Sequence, residues 1–228
     1  MGTLIAEDLL LLLLDDEKGT LGGASSYERP LFGGALLIEL ALAGQVDVEY
    51  TRVWKTAKAH ATGEGGAPAD PLLAEALAVA AEKTRTAQQL AEKLGKGARQ
   101  RLLDRLVERG LLERRTSKVL GVFPRTTWPA ADVRHESEVR QRLRDALVAG
   151  RDPDPRTAAL VALLTAVDRA HKIVDRGGLP ARTVKKRAKQ LAEGQWASDA
   201  VKASVQASQA AVMAAVTASS TAAATSGS

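Results

Sequence analysis

LFGGALLIELALA, residues 31–43, contains a single charged side chain, Glu39. A stretch this apolar, rich in Leu and Ala and poor in β-branched residues, is expected to form a helix buried on most of its sides. Pro30 suits the first turn of that helix, and Gly44 stops it. TLIAEDLLLLLL, residues 3–14, has the same character and predicts another helix of the same kind.

Moving outward from these two helices, residues 18–28 read as a loop. Val46, Val48 and Tyr50 alternate with Asp47 and Glu49 as in a half-buried strand, and residues 53–60 are expected to return beside it as a hairpin. Residues 62–70 form a Gly/Pro-rich loop. Helices are expected over 71–83, 86–94 and 97–109. A β-hairpin follows, with arms 111–113 and 119–123 flanking a polar tip at 114–118. Helices over 133–149, 155–175, 180–193 and 196–217 complete a mainly α chain. The expectation is a single domain over 1–217 with a disordered Ala/Ser/Thr tail at 218–228.

The chain has 228 residues, no Cys and three His. This excludes a disulfide scaffold, a Cys-ligated metal and thiol catalysis. His60, His135 and His171 are far apart and in no ligand spacing, so neither a metal site nor a Ser/His/Asp relay is expected. His171 instead reads as the local partner of Asp168 and Asp175. No glycine cluster fits a nucleotide fingerprint, and no cofactor or enzymatic activity is expected. Leu9–Leu14 are six consecutive leucines, but acids stand on both sides of them where a secretory leader has cations. Nothing approaches the roughly 20 apolar residues of a membrane span. The chain is expected to be cytoplasmic, with any membrane contact at the inner face and reversible.

The formal net charge is +5, and it is unevenly placed. Residues 83–144 hold sixteen Lys or Arg against seven Asp or Glu, while residues 1–50 hold two against nine. Basic surfaces attract anions such as phosphates, nucleic acid or acidic lipid heads. On a helical wheel of residues 96–109, Leu102, Leu103, Leu106 and Val107 share one face, with Arg101, Arg105 and Arg109 opposite on what reads as the solvated side. Lys96 and Arg99 fall on the leucine side at the helix start. Cations there either snorkel off the core edge or line an anion site beside free N–H groups. Arg114, Arg115 and Lys118 at the hairpin, next to an apolar strand, suit an anionic membrane surface or an ordinary charged turn. Trp128, close to the hairpin in sequence, suits core packing or a membrane interface.

The chain resembles the Golgi phosphoprotein 3 family in its bacterial branch. The likeness runs in order through "TLIAEDLLLLLLDDEKG" at 3–19, "GALLIELALAG" at 34–44, "PLLAEA" at 71–76, "RQRLLDRLVERGLL" at 99–112 and "TTWP" at 126–129. It implies a mostly helical globule around a central helical bundle, with small β-hairpins. It also implies a peripheral membrane adaptor that binds phosphatidylinositol 4-phosphate, with basic cytoplasmic tails of membrane proteins as further partners. The family's headgroup pocket has two basic residues three apart, matched by Lys96 and Arg99. Its Trp and its Arg before "LIELAL" fall here on Ala24 and Gly33, and Arg29 and Tyr27 are the nearby candidates to replace them.

Two other functions fit the residues. Helix, basic helix and hairpin over 84–125 is the layout of a winged-helix nucleic-acid reader. A protein adaptor without lipid binding would instead offer the acids of residues 7–49 to basic peptide tails. A homo-oligomer is compatible with all three.

Overall fold

A computed structural model of the chain describes residues 2–15, 19–51, 56–119 and 123–193. Helix α1 is Ile5–Leu13, and a 3-10 turn at Gly22–Tyr27 leads into α2, Glu28–Leu42. Strands β1 (Val46–Thr51), β2 (Thr56–Ala61) and β3 (Arg85–Thr86) form one antiparallel sheet around α3, Pro71–Ala81. Helices α4 (Ala87–Leu94) and α5 (Ala98–Glu108) precede the hairpin β4 (Arg115–Val119) and β5 (Phe123–Thr127). Helices α6 (Arg134–Leu147), α7 (Pro155–Ala166), α8 (Ala170–Ile173) and α9 (Ala181–Ala192) complete the described residues.

The two apolar helices are the centre of the molecule, as their composition predicts. Every residue of α1 is buried, and α1 packs on α2, α5, α6 and α7. Helix α2 is buried from Pro30 to Ala41 apart from Glu39, and it meets α3, α4, α5 and α7. Each buried Leu contributes about 1.5–3 kcal/mol of transfer free energy. In the first sheet Val46, Val48, Ala57 and Ala59 face the core, while Asp47 and Glu49 face outward.

Helices α2 and α4 touch backbone to backbone. A Cβ at Gly33 would lie 1.8 Å from the Ala91 carbonyl oxygen, and one at Gly95 would lie 1.9 Å from the Arg29 carbonyl oxygen. Only glycine fits either position. The contact draws the α4–α5 turn onto the first turn of α2.

Burying α1 whole also buries Glu7 and Asp8. Glu7 accepts the Leu4 N–H at 2.7 Å and the Arg105 Nε–H at 3.0 Å, and Arg109 Nε lies 3.4 Å away. Arg105 also donates from Nη2 at 2.6 Å to Asp70, the residue that caps α3 through the Leu72 and Leu73 N–H groups. The wheel is thus corrected at Arg105 and Arg109. They lie opposite the leucines, but α1 and α3 cover that side, and a buried carboxylate requires cations there. Arg101 reaches Glu75 at 2.8 Å. The face of α5 left to solvent is Gln100, Asp104 and Glu108.

Two more expectations change. The hairpin tip is not 114–118: Arg115 pairs with Thr127, Lys118 with Pro124 and Val119 with Phe123, so residues 115–118 belong to a paired strand. A two-stranded ribbon is solvated along its edges and tolerates a charged strand, while Gly121 interrupts the apolar run. The helix expected over 155–175 breaks at Asp168, where φ is +53°. Arg169 N–H bonds Leu164 O at 2.8 Å and Asp168 N–H bonds Thr165 O at 3.0 Å. This is a Schellman cap with Asp in the place glycine usually takes. A new helix then starts at Ala170 and carries His171, whose Nδ1 lies 3.7 Å from Asp168. The helix expected over 196–217 and the tail lie outside the described residues, as do Trp54 and Trp196.

Gly33→Ala is expected to lower stability by at least about 2 kcal/mol through overpacking, whereas Gly2→Ala, which meets nothing within 4 Å, leaves it unchanged. Urea unfolding of both variants checks this. Burial pushes the His171 imidazole below its ordinary 6.5, against the pull of Asp168. The unfolded chain therefore takes up this proton first as pH falls. The contribution is intact above 6.5 and is lost as pH drops through 6.5 toward the folded value. Melting temperatures of His171→Gln between pH 7.5 and 5.5 should fall less than those of the wild type, and parallel curves would contradict this.

Candidate anion-binding site

Helix α4 starts at a capping box in which Thr86 Oγ1 accepts the Gln89 N–H at 3.1 Å and Gln89 Oε1 accepts the Thr86 N–H at 3.3 Å. It ends at Gly95, and Gly97, at φ +70°, reverses the chain into α5 without a side-chain cap. Lys96 stands between these glycines, exposed, at the rim of a cleft of about 240 Å³ beside Glu75, Lys93 and Arg101. Lys93 is paired with Glu82 and Arg101 with Glu75. Among the described residues the Lys96 side chain has no hydrogen-bond or ion-pair partner. Arg29 is exposed and likewise partner-free, and its carbonyl lies against Gly95, the residue before Lys96. The crossing of α2 and α4 thus brings close the backbones of two cationic residues 67 positions apart in the sequence.

Arg99 goes elsewhere. Its Nη2 donates to the Gly19 carbonyl at 2.6 Å, and its guanidinium lies 5.7 Å from the centre of the Trp128 ring. A Cβ at Gly19 would sit 2.8 Å from Thr126 O and 3.0 Å from the Trp128 ring, so glycine is needed there. Arg99 therefore clamps the loop after α1 to the base of the β4–β5 hairpin. Arg99 Nε and Trp128 Nε1 are buried without an acceptor. The wheel puts Lys96 and Arg99 on one side, but Lys96 precedes the helix, in a glycine turn where helical angles do not apply.

Ala24 is fully buried, and Gly33 has no room for a side chain, so neither position offers a ligand-binding group. Tyr27 is partly buried against the core. On the hairpin, Arg115 pairs with Glu113 at 2.8 Å, Arg114 is exposed, and Lys118 holds a strand position opposite Pro124.

The acids of residues 7–49 do not form one outward patch. Glu7 and Asp8 are buried, and Glu39 accepts the Ile5 N–H at 2.7 Å and pairs with Arg156. Burial pushes the Glu39 carboxyl above its ordinary 4.5, with the Ile5 N–H and Arg156 acting against the rise. Asp8, Glu39 and Arg156 line a cleft of about 810 Å³ at the start of α1, together with Arg109, His135 and Arg142. Its residues come from five separate segments of the chain, which is why no local pattern shows it. His135 meets Asp8 at 2.7 Å and Thr3 Oγ1 at 3.1 Å, both through Nε2. A relay would use the two ring nitrogens separately. Asp47, Glu49 and His60 place ligand atoms within 4.8 Å of one another on the exposed side of β1 and β2. Strand pairing creates this proximity from residues with no ligand spacing.

The outward stripe of α5, Gln100, Asp104 and Glu108, carries two carboxylates and no cation to face a phosphodiester backbone. This weighs against the winged-helix function, although α4, α5 and the hairpin do follow that order.

A family model described as Golgi phosphoprotein 3 (GPP34) matches residues 5–208. The match covers most of the chain, and the chain belongs to that family. No curated protein matches the chain. No helix among the described residues is long and apolar enough to cross a membrane.

Arg99→Met keeps a long side chain over Trp128 but loses the bond to Gly19. Hydrogen exchange of amides 19–27 is expected to quicken at least about tenfold, which corresponds to about 1.4 kcal/mol, within the range of a charged hydrogen bond. Unchanged exchange would mean that the loop does not depend on Arg99.

Proposed function

We propose that this member of the Golgi phosphoprotein 3 family is a peripheral membrane adaptor that holds an anionic lipid headgroup at the α4–α5 turn. The observation that carries the proposal is the packing of the Arg29 backbone against Gly95, which brings two residues with partner-free cationic side chains, Lys96 and Arg29, to the turn that enters α5 without a side-chain cap. Helix N-termini favour anions through free N–H groups and their dipole. Two cations there oppose that dipole unless an anion joins them. Arg99 borders the same turn and holds the loop that leads to Arg29. It contributes by fixing that loop as well as by its charge. Arg114, Arg115 and Lys118 add long-range attraction toward an acidic surface.

The family resemblance supports phosphatidylinositol 4-phosphate as the headgroup and a bacterial branch for the chain. Replacement of the family's Trp and Arg by Ala24 and Gly33 favours broader selectivity for anionic lipid. In this reading Arg29 supplies the charge missing at Gly33. Binding without chemistry is the role these residues fit, and basic peptide tails are its candidate cargo.

Vesicle co-sedimentation tests the proposal with neutral vesicles, vesicles containing phosphatidylglycerol, and vesicles containing phosphatidylinositol 4-phosphate. Wild type should bind both anionic kinds and release as salt rises. Lys96→Ala with Arg29→Ala should weaken binding about thirtyfold, at roughly 1 kcal/mol per cation. Stronger binding to the phosphoinositide would assign the headgroup. A double variant that binds as well as wild type would overturn the site.

A further inference from the structure

A second run of cations lies outside that turn. Residues 168–193 hold eight Lys or Arg against three Asp or Glu. Helix α9 buries Val184, Ala188 and Leu191, so its remaining faces carry the charge outward. Lys185 is held by Asp168 at 2.7 Å, Arg187 lies 3.6 Å from Asp152, and Lys189 lies 3.8 Å from Glu193. Lys172, Arg176, Arg182 and Lys186 are exposed, and their side chains have no hydrogen-bond or ion-pair partner among the described residues. The acid nearest in sequence to Arg176, Asp175, accepts the Gly177 N–H at 3.0 Å. The surface is thus strongly cationic and has little internal compensation.

Its position relates it to the α4–α5 turn. The Arg169 guanidinium borders Gly22, since a Cβ there would lie 3.2 Å from its Nη2. Gly22 opens the 3-10 turn that ends at Tyr27, two residues before Arg29. At about 2 Å per residue that turn spans about 12 Å. The start of α8, through Arg169 and Lys172, and the Arg29 end of α2 therefore lie at the two ends of one short element.

We infer that the α8–α9 surface is a second contact area for an anionic membrane, engaged together with the α4–α5 turn. The inference rests on the lipid-binding proposal above and deepens it. Charge without a reading device is what favours a lipid surface. Residues 168–193 contain no Phe, Tyr, Trp or Asn, and the ring of their one His, His171, is largely covered, so the segment lacks the exposed aromatic rings and most of the amide side chains with which nucleic acids are recognised. An array of spread cations is sufficient for an acidic bilayer, where each adds to the attraction and none needs a fixed geometry.

The test is co-sedimentation of the full chain carrying Lys172→Ala, Arg176→Ala, Arg182→Ala and Lys186→Ala, beside wild type and the Lys96/Arg29 variant. All four side chains are exposed, and an unchanged melting curve confirms folding. The four-site variant should lose at least about a hundredfold in affinity for phosphatidylglycerol vesicles, with a weaker salt dependence. Its ratio of phosphoinositide to phosphatidylglycerol binding should stay that of wild type, whereas the Lys96/Arg29 variant lowers that ratio. If the four-site variant binds every vesicle as wild type does, the inference fails and the headgroup proposal stands. If wild type binds no anionic vesicle, the headgroup proposal fails, and this inference with it. Loss of duplex DNA binding with vesicle binding unchanged would assign the surface to nucleic acid and overturn the inference.

Discussion

Glu7 is a carboxylate with no exposed surface at the entry of the most apolar helix in the chain. Removing such a group from water costs several kcal/mol unless cations and N–H donors replace the solvent. The Leu4 N–H, Arg105 and Arg109 do so, and Arg105 carries the link on to Asp70 at the cap of α3. This requirement sets the rotation of α5 about its axis. With Arg105 and Arg109 turned toward α1, Leu102, Leu103 and Leu106 enter the core, and Gln100, Asp104 and Glu108 are left outside. The position of Arg99 beside Gly19 follows from the same rotation. One buried acid thereby couples the central helix to the edge of the candidate site.

The other constraint is the approach of α2 to α4. Glycines at 33 and 95 let two backbones meet with no side chain between them, so the turn after α4 lies against the start of α2. The site is assembled by this contact more than by any local motif. Lys96 comes from a turn, Arg29 from the first turn of a buried helix, and Arg99 from a clamp on a neighbouring loop. Their order in the sequence gives no sign that two would stay free and one would be engaged.

Much of the architecture was legible because the strongest signals are compositional. Leu9–Leu14 and residues 31–43 have no alternative to burial, and Thr86, Pro71 and Pro155 mark helix starts that the structure keeps. What the sequence hid were features set by long-range pairing. Arg105 and Arg109 look solvated on a wheel because the wheel does not show α1 covering them. Residues 114–118 look like a turn because charge is common in turns, yet a ribbon edge tolerates it equally. Asp168 ends α7 by adopting a backbone conformation that its residue type only weakly announces. For the candidate site, Lys96 was singled out by a wheel that does not hold in its glycine turn, and Arg29 only as a nearby cation. The clamp of Arg99 on Gly19 and the free surface of α8 and α9 needed the fold.

The glycine at 33 also bears on how such a protein can change its ligand. A point mutation to arginine at that position would not add a positive group to a pocket, because the chain there is already pressed against the next helix. A lineage carrying this packing could recover a large residue at 33 only by first moving α4 away, which would disturb the turn that holds Lys96. Change in recognition is therefore channelled toward exposed positions such as Arg29, where a substitution leaves the core untouched. The close crossing preserves the shape of the site while leaving its chemistry free to drift around the rim.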